Sequence, residues 1–591
     1  MNPVLSKHRD FKYASIALAA FLAACGGGGD DSSSGAGGGG LVAPPVVVAQ
    51  SLTLHGNAAT GAAIAGQPVV AKCSVGTGTA TSGADGSYTL SITSGTLPCM
   101  LKVTASDGTA LFSVASGSGD TAVANINPVT QLVIASLSGA DPATYFTSFD
   151  ATAAAAVTTA KLSDAVGAVK TTLLAAGLDL SAIDVLGGTL TPATSTTAGN
   201  VYDQALDALA AKLTASGTTL ADLSTTVAAA STAPTAPSTT TPTTGAASLP
   251  ANLLLLPKAA SCSALRSGSY RIVNPAIGVS GDAHTGKIVI DAATLAVTFT
   301  DGSTGTWAVN TGADATCHFT DDAGRSDIVV SQAGVLVVRH LDDDGQYRAG
   351  IAFPEQTHTL AELAGTWNVM GMATNAAQTA QTAVTGTMTI DGAGVFSAVT
   401  WCQNDATWNV TGSDCFAVDS GLSTLAVNAT AGFDLVNPGG RFFAYQAGNG
   451  DLMGVEIDAN GGFLLYTKRR TLSLPAVGAL SKSWNVAIGA QLTAPNTLSL
   501  SSNTIASVDT VANSWVRTQH SANGAAFDYN ETLNANTPRN GFTQRPAATT
   551  TAVNGSAVTI REFDNMSMRG MGFSPLVVPS NKTFTFSVGQ P

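Results

Sequence analysis

Three stretches in the C-terminal part of the chain open alike: "ALRSGSYRIV", "ELAGTWNVM" and "ALSKSWNVAI". They place Tyr270, Trp367 and Trp484 at one shared position, and a second tryptophan follows each, Trp307, Trp408 and Trp515, after 37, 41 and 31 residues. Later in each unit a glycine precedes an apolar run, at Gly350, Gly454 and Gly572. The first aromatics lie 97 and 117 residues apart, too far for propeller blades and enough for one small antiparallel barrel or sandwich each. The expected units are 257–361, 362–475 and 476–591. An aromatic fixed early in each unit predicts a plug of that unit's own core.

In the middle unit Gly365-Thr366-Trp367 resembles the G-x-W opening of lipocalin-like (calycin) barrels. The first unit has Tyr270 for the tryptophan and the third has Lys482 for the glycine, so the resemblance covers a few residues per unit and leaves barrel and sandwich both open.

The N-terminal third reads differently. Residues 50–126 alternate apolar and polar side chains, as at Tyr88, Leu90 and Ile92, between the turn signals Asp85-Gly86 and Asp107-Gly108. That pattern predicts a small antiparallel sandwich. Gly56, the run Gly66 to Val69 and Ala84 to Tyr88 resemble the carboxypeptidase-regulatory-like, transthyretin-type β-sandwich, which the resemblance implies is a structural spacer. Asn127-Pro128 then opens a helical segment over 127–230, with Asn127 as N-cap and Pro128 in the first turn. Within it Tyr202, Leu206, Leu209 and Leu213 fall on one helix face. Residues 231–256, rich in Pro, Thr and Ser at their start, are expected to form an extended linker. The fold class is therefore mainly β and multidomain: a small β-sandwich, an Ala-rich helical segment and three tandem β-barrel or β-sandwich units.

At the N-terminus Lys7, Arg9 and Lys12 precede an apolar stretch, Ala14 to Ala24. It is too short to span a bilayer, which needs about 20 residues, and suits the core of a secretory signal. It ends in Leu22-Ala23-Ala24-Cys25, which resembles the lipobox of bacterial lipoproteins. The resemblance implies removal of residues 1–24, lipidation (palmitate among the acyl chains) at Cys25, and, with Gly26 rather than aspartate next, the outer membrane. Which face it occupies is left open, and so is an ordinary cleaved signal with an incidental cysteine. Residues 25–49 begin with Gly26 to Gly40, which offers no apolar side chain to a core and reads as a flexible tether.

Without residues 1–24, which carry three cationic and one acidic side chain, the net charge of −13 becomes −15. An acidic chain with no basic cluster does not suit nucleic acid, whose phosphates demand Lys and Arg. Setting Cys25 aside leaves Cys73, Cys99, Cys262, Cys317, Cys402 and Cys415. Six cysteines allow about 15 pairings; pairing neighbours, 73–99, 262–317 and 402–415, keeps each bond inside one unit. With no CxxC and no histidine at ligand spacing, zinc is the weaker alternative.

Catalytic patterns are absent from the sequence. Gly281 to Lys287, "GDAHTGK", starts like a phosphate loop, but Ile288 follows where Ser or Thr belongs and the next residues read as strand. His55, His284, His318, His340, His358 and His520 are scattered, and neither HExxH nor a G-x-S-x-G elbow occurs. The densest acidic spot, Asp342, Asp343 and Asp344, is a candidate calcium site or an ordinary hairpin turn. Trp401, next to Cys402 and outside the repeat, is a candidate for stacking on a ligand or for packing on a disulfide. The sequence thus points to a lipid-anchored envelope protein with no cofactor, whose non-catalytic β-head serves adhesion or binds a small-molecule, glycan or protein ligand. The alternatives are a structural or accessory envelope protein and an enzyme whose site is too dispersed to recognise.

Overall fold

A computed structural model describes residues 51–590 except 233–248, 275–283, 313–314, 344, 346, 375–380, 404–414, 419–421, 438, 490–496, 522–528, 538, 546–556, 561–570 and 579–580. Among the described residues no helix is long and apolar enough to cross a membrane. The chain is mainly β, with helices confined almost entirely to one segment.

The N-terminal strands form two sheets. Ser51–Asn57 pairs with Ser87–Thr93 and, in parallel, with Thr121–Val123; Pro68–Val75, Thr77–Thr81, Thr96–Thr104 and Ala110–Ala115 form the other. Alternation does the work here. Tyr88, Leu90 and Ile92 point inward and meet Val69, Leu101 and Val103 across the sandwich, while the residues between them face water. The four-stranded sheet is apolar on its second face as well. There Met100, Phe112 and Val114 pack against the helix Pro128–Ser138, whose first turn is capped by the Asn127 side chain with Thr130 bonding back. Thr159–Ala175, Val201–Ser216 and Leu220–Thr232 complete the helical layer, and Tyr202, Leu206 and Leu209 form the buried face of the second.

Downstream of residue 256 the units are barrels rather than sandwiches. The first closes eight strands from Gly268–Asn274 to Tyr347–Pro354, Tyr270 pairing with Pro354. A hairpin of Lys258–Ala259 and Cys262–Arg266 packs into its core, held by the Cys262–Cys317 disulfide. The second is a nine-stranded sheet, Gly365–Thr374 pairing with Phe463–Lys468, with an opening between Cys415–Val418 and Leu425–Val427. Hydrogen bonds from Phe396 N to Ser423 O (3.1 Å) and from Leu425 N to Gly394 O (2.9 Å) draw that opening together at one end. The third again closes eight strands, from Leu480–Gly489 to Asn581–Gly589.

Each repeat aromatic lies on the first strand of its barrel, beside the last: Tyr270, Trp367 with Lys468, and Trp484 with Val588. Tyr270 and Trp367 point inward, and each donates to a carbonyl four residues upstream, Arg266 O at 2.9 Å and Leu363 O at 2.8 Å. Trp484 does not. It faces outward into a core shared by all three barrels, with Val337 and Phe353 of the first and Phe463 and Leu465 of the second. The expectation of one plug per unit therefore fails at Trp484, because here the barrel wall itself is covered by its neighbours.

Other repeat positions are also not equivalent. Gly350 lies on the final strand of its barrel, Gly454 and Gly572 on the penultimate strand. Trp408 lies outside the described residues, and the third-strand tryptophan that matches Trp515 by strand order is Trp401.

The expected linker does not extend to residue 256. Leu249, Leu253 and Leu254 are buried in the shared barrel core, whereas Ala251 and Leu255 are buried in the helical core. The short helix Ala251–Leu254 is thus a wedge between the two. Arg266, almost wholly buried, donates from Nη1 to Leu254 O, Leu256 O and Ser216 O at 3.1, 2.9 and 3.3 Å. Burial lowers its pKa to about 10. The apolar run Leu253 to Leu256 buries too much surface to remain an exposed spacer.

Candidate functional site

The three barrel interiors differ in chemistry. The first is filled by Tyr270, Ile288, Trp307, Phe319 and their neighbours, and the second by Trp367, Met388, Phe396, Phe442 and Tyr466. In the third, alternation from the outward-facing Trp484 and Val486 sends Ser481, Ser483 and Asn485 inward. Their partners across the strands are Asn503, Ser501 and Ser587. Asn485 Nδ2 donates to Ser501 Oγ at 2.9 Å, and Ser587 Oγ donates to Asn485 Oδ1 at 2.8 Å. Among the described residues, apolar filling in this barrel centres on a small cluster of Ile505, Trp515, Leu533 and Ala535.

Beside that cluster lies a buried ionic triad. Glu531, on Tyr529–Ala535, has only 2% of its side chain exposed. Arg517 holds one carboxylate oxygen through both Nε (2.8 Å) and Nη2 (2.6 Å). Arg545 holds the other through Nη1 alone, at 2.8 Å. Burial pushes the Glu531 carboxyl up, but the two guanidiniums outweigh it and hold it below the ordinary glutamate value. The triad carries one more positive than negative charge. Arg545 Nε and Nη2 are buried without a hydrogen-bond partner, and so is Asn503 Oδ1. Two of the three share parity with a buried apolar residue two positions away: Arg517 with Trp515, Glu531 with Leu533. That parity is the sequence signal that would have found them.

The sequence-derived candidates fall elsewhere. Cys25 lies outside the described residues. The other six cysteines form Cys73–Cys99, Cys262–Cys317 and Cys402–Cys415, two of them directly opposed across neighbouring strands. Asp342 pairs with Arg348 (2.5 Å) and approaches His340, Asp343 pairs with Arg325 (2.7 Å), and Asp344 is outside the described residues. Among the described residues no three His, Cys, Asp or Glu side chains are grouped to hold a metal. Trp401 packs against the second barrel's core and lies over Gly386 on the neighbouring strand, where an added Cβ would come within 2.9 Å of its ring. It does the work of a side chain that the glycine lacks.

One serine–histidine pair is formed. Ser326 Oγ lies 2.6 Å from His340 Nδ1, across a strand pair of the first barrel. However, the same hydroxyl donates to Asp321 Oδ2 at 2.7 Å. Its lone pair therefore faces the imidazole, the reverse of an arrangement in which histidine removes the serine proton. Arg271 and Arg441 flank the Phe443 ring at 4.9 and 5.1 Å beside a small cleft between the first two barrels, where Glu355 answers Arg271 and Lys287. These contacts join the barrel walls.

No protein-family model and no curated protein matches this chain. Among solved structures it is similar to a double mutant of transferrin binding protein B, a vaccine antigen from Haemophilus parasuis. Identity there is 10%, covering 55% of this chain and 75% of that one, with a TM-score of 0.19. The isotype 1 transferrin binding protein B of serogroup B Neisseria meningitidis aligns at 10% identity over 55% of this chain and 68% of its own, with a TM-score of 0.18. A protein of unknown function from Nostoc punctiforme aligns at 11% over 40% and 99%, with a TM-score of 0.15. At these scores none of the three assigns a fold or a function to this chain.

Proposed function

We propose that this chain is a lipid-anchored protein of the outer membrane whose rigid three-barrel head holds a small polar ligand in its C-terminal barrel without transforming it. In this reading residues 1–24 are removed, Cys25 carries the lipid, and residues 25–49 are the tether. The sandwich and helical layer form a stalk that the Ala251–Leu254 wedge fixes to the head. The barrels follow within 257–361, 362–475 and 476–591.

The observation that carries the reading is the contrast between interiors. The first two barrels each hold a large apolar cluster of their own side chains, whereas the described interior of the third is lined by hydroxyls, amides and an ionic triad with orphaned donors. A barrel needs no such lining to be stable, since buried charge is costly relative to apolar filling. Polar groups fixed inside a concave wall are what orient a small ligand.

Native mass spectrometry of the full chain, extracted from envelope membranes, tests this. A small molecule retained by the intact chain and released on unfolding is the expected result, together with loss of membrane attachment in Cys25→Ala. A chain that carries nothing and stays membrane-bound without Cys25 would overturn both halves.

A further inference from the structure

The two arginines of the triad use different edges. Arg517 spends its side fork, Nε with Nη2, on Glu531, whereas Arg545 reaches Glu531 only through Nη1. The side fork of Arg545, again Nε with Nη2, is buried and has no hydrogen-bond partner. That edge presents two parallel N–H groups at the spacing of the two oxygens of a carboxylate or phosphate. From this unused fork we infer that the C-terminal barrel takes a ligand bearing an oxyanion, either carboxylate or phosphate, bound bidentately by Arg545. The inference rests on the binding reading above and narrows it to a ligand class.

Charge and satisfaction agree with that class. Among the described interior side chains of this barrel, two guanidiniums face one carboxylate. A second anion would neutralise the remaining positive charge in a site where water does little of that work. Leaving donors buried and unpaired costs free energy that a ligand oxygen would recover. Asn503 Oδ1, on a residue only 3% exposed, is a second orphan inside the same barrel and is an acceptor. A hydroxyl or ammonium donor on the ligand would satisfy it, but the oxyanion alone defines the class. The apolar floor of Ile505, Trp515 and Leu533 gives its carbon skeleton a surface to rest on.

Calorimetric titration of the full chain with sodium succinate and, separately, with inorganic phosphate tests this, against sodium chloride at matched ionic strength. Saturable binding of succinate or of phosphate is expected, and whichever binds identifies the oxyanion. Arg545→Gln should weaken it at least tenfold, and Arg545→Lys, which keeps the charge but has no fork, should recover only part of that loss. Folding of each variant is read from its far-UV circular dichroism and its three intact disulfides, and if Arg545→Gln does not fold, Arg545→Lys carries the comparison. No heat with either anion, or binding unchanged in both variants, overturns the inference. A neutral molecule retained in native mass spectrometry alongside silent titrations would overturn the oxyanion and leave the binding reading standing. Absence of both would remove the two together.

Discussion

The imidazole of His318 lies against the indole of Trp484, ring centroids 4.8 Å apart, and joins the outer wall of the first barrel to that of the third. Trp484 belongs to the core that all three barrels share. Trp484→Ala should therefore cost about 3–5 kcal/mol, as large aromatic truncations in packed cores do. Since each barrel borrows this core, urea unfolding of the wild-type head should show one cooperative transition, and Trp484→Ala should lower its midpoint. Separate transitions for the barrels in the wild type would contradict a shared core.

Glu456 is buried in the second barrel and accepts a hydrogen bond from the Tyr466 hydroxyl. Burial raises its pKa from 4.5 to about 7. An acid with a raised folded pKa binds more protons folded than unfolded, so its contribution is full below pH ~4.5 and is lost as pH rises through ~7. The loss is of order 3 kcal/mol. Relative to the wild type, Glu456→Gln should gain stability across pH 4.5–7.5, and denaturation series at several pH values would measure it. Parallel curves for the two proteins would show that the carboxyl does not titrate in this window.

Removing the Cys262–Cys317 bond should detach the hairpin that fills the end of the first barrel. The bridge closes a loop of 55 residues, for which chain entropy alone predicts a loss of about 4 kcal/mol. The double variant Cys262→Ala, Cys317→Ala should show that fall in chemical denaturation, and faster proteolysis around residues 258–266. Unchanged stability would mean that the hairpin packs without its covalent tie.

Arg266 should prove necessary to couple stalk and head. Arg266→Met keeps much of the volume but strands the carbonyls of Ser216 and Leu256, at about 1–3 kcal/mol for each that water does not reach, while Leu254 O keeps the Thr218 hydroxyl. The expected signature is selective: limited proteolysis near residue 250 becomes fast while all three disulfides stay intact. Protease resistance equal to the wild type would assign the coupling to the wedge leucines alone.

Much of this architecture is legible in the sequence wherever one physical constraint acts locally. Period-two alternation marks the strand with Tyr88, Leu90 and Ile92, the Asn127-Pro128 pair marks a helix start, and the Tyr270 and Trp367 positions mark first strands facing inward. What was not legible depends on neighbours far along the chain. Strands such as Leu452–Asp458 and Phe463–Lys468 are apolar on both faces, which announces two coverings but not what supplies the second. Residues 249–256 read as the tail of a linker because two separate cores divide their leucines. The triad draws on strands 14 residues apart on either side of Glu531, a spacing that matches no local motif and becomes meaningful only once a barrel closes.

Barrel closure also orders events in time. A chain that emerges N-terminal end first yields the strand Leu480–Gly489 long before its partner Asn581–Gly589. Phe586 and Val588, on that late strand, also belong to the core shared by the three barrels. Until they arrive, Val337 of the first barrel and Phe463 of the second lack part of their covering, however well their own barrels have closed. The head thus locks from its far end, and a chain halted a dozen residues early would present greasy walls on three nearly finished barrels.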